Sequence, residues 1–329
     1  MKNSRIFCLA ALLALAAGSL AAQQPAVLKT ADYKRYVDYF NRMEEPNITN
    51  AISNEEAWNW MERNIPLFDC PQDNFREIYY FRWWSFRKHI IDTPTGRVVS
   101  EFLVSRPHAD NYNMIACAIG HHVYEMRWLH DKTLLEEYLN VWYTGNDGGP
   151  MSKLHAFSSW APDALWNAYL VNNDRDFLTY MYPLLKADYA RWEREKRLSD
   201  GLFWQRDVSD GMEESASGGR NVQNKRPTIN SYMYGNATAL SKTAALMGNN
   251  TDAAYFLRKA DTLKNLIQAK LWNDEEKFFE SFQQGDTLAK VREAIGFIPW
   301  YFNLPDGGKY DAAWLQFDDR RGFNAPFGL

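Results

Sequence analysis

"INSYMYGNATALSKTAALM", residues 229–247, decides the fold class. Ile229, Met233, Ala237, Leu240, Ala244 and Met247 recur at steps of four and three, with Ser231, Thr238, Ser241 and Lys242 elsewhere, so the stretch reads as one amphipathic helix. Gly248 stops it. Thr251 or Asp252 is expected to cap the next helix, where Phe256, Ala260, Leu263, Ile267 and Leu271 continue the same stripe. Together the two segments form a helical hairpin.

Outward from this hairpin, residues 74–92, 113–130, 133–143, 159–172 and 175–198 show neither the strict alternation nor the β-branched enrichment of strands. Pro162 suits a first helical turn after Ser158 and Ser159, and Pro183 starts or kinks a helix that runs on through Leu185, Tyr189 and Trp192. The chain is therefore expected to be all-α. Paired segments recur without a shared repeat motif, which points away from a consensus solenoid and toward a closed toroid of helical hairpins. Loops at one end of such a ring converge on one concave site.

The chain of 329 residues, 46% apolar, supports a real core, and a formal charge of −4 offers no basic stripe for nucleic acid. Thirteen Trp, 18 Tyr and 19 Phe exceed what a core needs, so some are expected to line a groove where sugar faces stack. Residues 1–22 read as a signal peptide: a basic start, an apolar run from Ile6 too short to span a bilayer, and small residues near Ser19 and Ala21. Residues 23–53 read as a leader and 54–329 as the catalytic domain, with the protein exported to the periplasm or outside. Cys8 falls within the signal; Cys70 and Cys117 are either paired or two separate thiols. The chain stops on "FDDRRGFNAPFGL", which reads as a domain lacking its last hairpin or two.

The chemistry is expected at "DVSDGMEESASGGR", residues 207–220. Asp207, Asp210, Glu213 and Glu214 crowd one bend directly after Phe203 and Trp204. An acid buried there against aromatics and ionised neighbours is kept protonated, as a general acid requires, while Arg206 and Arg220 hold the others ionised. A solvated acidic turn that caps the following helix is the plainer alternative.

The run "FLTYMYPLLKADYARWEREKRLSDGLFWQRDVSDGMEESASG" resembles the segment that carries the catalytic acid in the (α/α)6 glycoside hydrolases related to trehalase, the family 63 glucosidases and the mannosylglycerate hydrolases. "INSYMYGNATALSKTAALMGN", "RKADTLKNLIQAKLWNDEEKFFES", "VREAIGFIPWYF" and "FNAPFGL" are similar, in order, to later segments of those enzymes, so the likeness covers about residues 54–329. It implies an all-α (α/α)6 toroid, a six-hairpin glycosidase fold incomplete in this chain, and inverting hydrolysis of a glycoside. In the family pattern Gly-x-Asp-x-Ser the Asp is the general acid. Gly211, Met212, Glu213, Glu214 and Ser215 occupy that pattern here, so the resemblance puts Glu213 in the acid's place, with Asp210 as the alternative. The family's general base lies beyond the stretch similar to "PFGL"; no residue here matches it, and a chain ending at Leu329 is expected to be inactive.

For substrate contacts, Tyr80, Trp83, Trp84 and Arg87 in "YYFRWWSFRKHI" resemble the first-hairpin motif that lines the family's sugar pocket; helix packing is the bland rival. Trp160, Trp204, Gly211, Met212 and Asn230 complete the expected binding set, Asn230 orienting the acid or a hydroxyl. No cofactor or metal is expected, because His121 and His122 point to different faces of a helix and His121 with Glu125 makes only two ligands. A non-catalytic glycan-binding protein and a sugar epimerase or lyase on a similar toroid are the competing functions. The expected partner is carbohydrate, with no nucleic acid and no membrane after signal cleavage.

Overall fold

The computed structural model describes residues 28–44 and 51–327; the signal-peptide reading lies outside them. Among the described residues ten α-helices follow in chain order: α1 (Lys34–Met43), α2 (Ala57–Asn64), α3 (Asp73–Lys88), α4 (Ile119–Met126), α5 (Thr133–Thr144), α6 (Ala161–Asn172), α7 (Arg175–Lys196), α8 (Pro227–Leu246), α9 (Asn250–Lys270) and α10 (Ile298–Tyr301). The α8–α9 hairpin forms as its stripes require. Ile229, Met233, Ala237, Leu240 and Ala244 are buried against Phe256, Ala260, Leu263, Ile267 and Leu271. Each large apolar side chain so buried is worth about 1.5–3 kcal/mol.

Two details differ from the sequence reading. Asn249, rather than Thr251 or Asp252, caps α9, its side chain accepting the Asp252 N–H, and Met247 lies half out of the core after the stripe has ended. Gly248 stands at φ +78, where a side chain would strain, and so breaks α8 as expected. Pro162 sits in the first turn of α6, and Pro183 is absorbed inside α7.

Helices α4, α6, α8 and α10 pack on one another in series, while α7 lies against both α6 and α8, and α9 against α8. The result is an inner row backed by outer helices, the arrangement of an (α/α) toroid. The connections are unequal. Those leaving the inner helices, 127–132, 173–174 and 247–249, are short; those entering them, 89–118, 145–160, 197–226 and 271–297, are long. All the long connections therefore gather at the N-terminal end of the inner row, which is where a site can be built.

Short antiparallel hairpins stiffen these connections: β1 (Ile90–Thr93) with β2 (Gly96–Val99), β3 (Gln205–Arg206) with β4 (Gln223–Asn224), and β5 (Trp272–Asn273) with β6 (Phe278–Phe279). The expected helix over 74–92 accordingly ends at Lys88 and turns into β1, and the one over 113–130 narrows to α4 after two 3-10 turns. Residues 30–43 of the stretch read as a leader are also helical: a 3-10 turn leads into α1, which packs on α3, with Tyr33, Tyr36, Val37 and Phe40 buried.

Candidate active site

The acidic bend enters from β3 through the 3-10 turn Asp207–Asp210, and Gly211, at φ +80, reverses the chain. Asp207 and Asp210 face inward onto Arg226, the residue before Pro227 opens α8. Arg226 donates from Nη1 to Asp207 Oδ1 at 2.6 Å and from Nε to Asp210 Oδ2 at 2.9 Å, and the Thr228 hydroxyl donates to Asp210. All three charged side chains are fully buried. Burial pushes both carboxyls above the usual carboxylate range while Arg226 pulls them back; Glu293 adds to the rise at Asp207.

This geometry corrects two expectations. Asp210, the alternative acid, is sealed beneath the loop as a counterion of Arg226. Arg206 is exposed and Arg220 lies 3.9 Å from Glu214, so the ions that compensate the buried acids come from Arg226 instead.

Glu213 stands on the outer arc of the bend, exposed. Its charge acts on Glu101, just past β2, and on Cys117, in the turn before α4, raising both, so it stands within electrostatic reach of the two. Burial is the larger cause in each case; it pushes the Cys117 thiol up to about 12. At Glu101 burial raises the carboxyl, His108 lowers it and Glu213 raises it again. Glu214 points away into solvent, its side chain 93% exposed.

Glu101 also lines a cavity of about 410 Å³ between α3 and α4, with Phe81, Arg82, Ser85, Phe86 and His89 on one wall and His121, His122 and Glu125 on the other. That volume is in the range of small-ligand sites. His89 holds Nδ1 at 2.8 Å from the Ser100 carbonyl, and His122 Nδ1 lies 2.9 Å from the Tyr138 hydroxyl. Burial drives all three imidazoles toward the neutral form, His122 down to about 3. Arg82 is paired with Glu125. The described residues of the cavity thus offer hydrogen-bonding groups and aromatic rings without a free cation. Among the described residues no three His, Cys, Asp or Glu side chains converge as a metal-ligand set.

The expected binding residues fare unequally. Tyr80 is fully buried, stacked on Tyr33 and Tyr36, with its hydroxyl on the Phe68 carbonyl. Trp83 packs edge-on to Phe86, Trp84 donates its indole N–H to Asn41, and Arg87 is held by the Ile52 carbonyl and Asn54. These four belong to the core, as the rival reading had it, and the cavity is lined instead by positions 81, 82, 85 and 86 of the same helix together with 89, at a helical spacing visible in the sequence.

Trp204 is corrected as well; it lines a separate depression with Asp200 and Lys225, and Lys196 sits over its ring at 3.9 Å. Trp160, at the start of α6, is buried among His121, Tyr124, Tyr232, Tyr301 and Phe302, beneath the long-connection end. Gly211 and Met212 lie on the bend beside Glu213, Met212 N–H donating to the Asp207 carbonyl. Asn230 touches neither acid nor cavity. It accepts from Phe203 N–H at 2.8 Å and donates to the Phe203 and Arg226 carbonyls, stapling the turn before the bend to α8. Cys70 and Cys117 are free thiols.

Comparison with known proteins adds a family and a fold. Residues 111–329 match the mannosylglycerate hydrolase MGH1-like glycoside hydrolase domain. A solved structure described as "Sialidase" is 56% identical with a TM-score of 0.89, covering 92% of this chain and 28% of that one. The chain therefore spans little more than a quarter of that protein's length. A GH63 mannosylglycerate hydrolase from Thermus thermophilus in complex with Tris is 12% identical, TM-score 0.55, over 71% of this chain and 75% of its own. An uncharacterized conserved protein from the same organism is 13% identical, TM-score 0.54, over 67% and 72%. At such identities the likeness shows the fold, and the fold is the (α/α)6 toroid.

Proposed function

The chain belongs to the mannosylglycerate hydrolase MGH1-like glycoside hydrolase family, and from that premise we propose that it is a glycosidase that cleaves a neutral glycoside with Glu213 as proton donor. One observation carries the assignment: of the acids on the bend, Glu213 alone is both exposed and near enough for its charge to raise the carboxyl of Glu101, a cavity-lining residue, while Asp207 and Asp210 are engaged by Arg226 and Glu214 stands 3.9 Å from Arg220 with its side chain 93% exposed. The longer Glu side chain in the acid's place is compatible with a bend held this firmly from below.

In the proposed reaction Glu213 gives its proton to the departing glycosidic oxygen as a water attacks the anomeric carbon from the opposite face, with inversion, the water's proton passing to a second carboxylate across the site, a role assigned to none of the described residues. Glu101, whose carboxyl is raised by burial and by Glu213, is suited to hydrogen-bond a sugar hydroxyl rather than to take the water's proton. Neutral imidazoles at 89, 121 and 122 provide further partners, and Phe81 and Phe86 provide faces for stacking. A carboxylate-bearing sugar would demand a free cation, and the arginine lining this cavity is engaged by Glu125, so a neutral ring is favoured. Export, read from the signal-peptide sequence, is part of the proposal; no helix among the described residues is long and apolar enough to cross a membrane.

The test is Glu213→Gln, made in a protein that also carries the general base, against alkyl and 4-nitrophenyl glycosides of neutral hexoses. Loss of a general acid costs about 10²- to 10⁴-fold in kcat for the alkyl leaving group and much less for 4-nitrophenolate, which departs without a proton. Equal losses with both leaving groups would remove Glu213 from the role. NMR of the first-formed anomer decides inversion.

A further inference from the structure

We infer that Glu293, together with Arg226, is a positioning residue that clamps the bend on both sides of Glu213 and so fixes where its carboxyl points. The inference rests on the proposal that Glu213 is the proton donor. Below the bend, Arg226 anchors Asp207 and Asp210, the residues that lead into Gly211. Beyond the bend its Nη1 reaches Ser217 Oγ at 3.4 Å and Ser215 Oγ at 3.5 Å, so one guanidinium spans both feet of the arc.

Glu293 arrives from a different connection, the one entering α10, and takes hold of the second foot. Its Oε1 accepts from Ser215 Oγ at 3.0 Å and from the Ala216 N–H at 2.9 Å, and its Oε2 accepts from Ser215 Oγ at 3.1 Å. The Ser281 hydroxyl and Gln283 Nε2 reinforce this at Ser217, at 3.2 and 3.0 Å. A third connection joins below, where Ser158 N–H donates to the Ser209 carbonyl at 2.8 Å. Between the feet lie only residues 211–214, and there Arg220 Nη1 stands 3.4 Å from the Glu213 carbonyl.

Glu213 is exposed, so its direction depends largely on the backbone that carries it. Four residues between two fixed feet leave little freedom. A donor carboxyl displaced by about 1 Å loses on the order of 10² in rate, which is what the clamp withholds. Neither Arg226 nor Glu293 needs to touch substrate for this effect.

The experiment uses the whole protein and the alkyl glycoside that the wild type cleaves fastest, with Ser215→Ala, Ser215→Thr, Glu293→Ala and Glu213→Gln. We expect Ser215→Ala and Glu293→Ala to lower kcat about tenfold to a hundredfold, with KM moving less than about twofold, and Ser215→Thr to restore kcat because it keeps the hydroxyl. Hydrogen exchange at the Ala216 amide should quicken in Glu293→Ala. If Glu213→Gln is inactive while Ser215→Ala and Glu293→Ala keep wild-type kcat, the clamp has no catalytic role and the inference falls. Activity retained by Glu213→Gln refutes the acid assignment instead; unchanged exchange at Ala216 in Glu293→Ala overturns the clamp whatever the activity. Ser215 and Glu293 are only half-buried, so these variants avoid the misfolding that an Arg226 substitution risks.

Discussion

Arg226→Met is expected to destabilise the protein by about 3–5 kcal/mol at neutral pH, and to do so less as the solution is acidified. Methionine keeps most of the arginine's volume and none of its charge, so Asp207 and Asp210 would remain fully buried without their cation. Even with Arg226 present, burial raises both carboxyls above their ordinary 3.8. A carboxyl raised in the folded state binds more protons there than in the unfolded chain. The stability it contributes is therefore complete below the unfolded value and lost as pH climbs through the folded one. Removing the arginine lifts both carboxyls further and widens that window upward. The penalty should accordingly shrink by up to about 1.4 kcal/mol per pH unit for each carboxyl that takes up a proton. Urea unfolding of wild type and variant at about pH 7 and about pH 5 reads the difference directly, other titrating groups cancelling between the two proteins. A loss below about 1 kcal/mol at neutral pH, or a loss that grows on acidification, would refute the account of the triad.

The wall of the cavity has a pH dependence of its own. His122 is held down to about 3 by burial, against 6.5 when unfolded, so between those values the unfolded chain binds the extra proton and stability drops as pH falls, at up to about 1.4 kcal/mol per unit. His122→Leu should flatten that part of the stability profile, and an unaltered slope would count against a neutral imidazole there. Gly120→Ala would set a Cβ 2.2 Å from Trp160 Cε2, and forcing that indole aside should cost about 1–3 kcal/mol with a changed near-ultraviolet dichroism. An unchanged melting temperature would mean Trp160 is free to move. Cys70 and Cys117 are both partly exposed, but burial pushes the Cys117 thiol up to about 12, so alkylation followed by peptide mass mapping should find Cys70 modified well before Cys117; equal rates would contradict that rise.

The helical frame was legible because its signal is periodic and local. The stripes of α8 and α9, the proline in the first turn of α6 and the glycine after α8 each state their structure within a few residues. The bend at 207–217 stood out in the sequence as a crowd of acids, but which of them would be buried against a cation did not. That outcome depends on Arg226, which lies beyond the end of the bend and is brought back by the β3–β4 pairing, and on Glu293, which lies a whole hairpin further on. Nothing about the spacing of Asp207, Asp210 and Glu213 says which one meets a guanidinium; only the long-range fold does.

The misreading of α3 has a traceable physical origin. "YYFRWWSFRKH" is aromatic on every face, so periodicity alone does not say which side is covered. The decision is made by what packs on it, and the partner is the stretch that looked like a polar leader. Tyr33 and Tyr36 stack on Tyr80, Phe40 meets Trp84, Asn41 takes the Trp84 indole proton, and Ile52 and Asn54 hold Arg87. Once residues 30–43 are recognised as helical, with Tyr33, Tyr36, Val37 and Phe40 at steps of three, one and three, the tryptophan face of α3 has its cover. The face bearing Phe81, Arg82, Ser85 and His89 is then the one left to meet α4 across a cavity. Both errors are thus one error, and the same pairing that buries the conspicuous aromatics is what turns the less conspicuous residues toward the proposed sugar site.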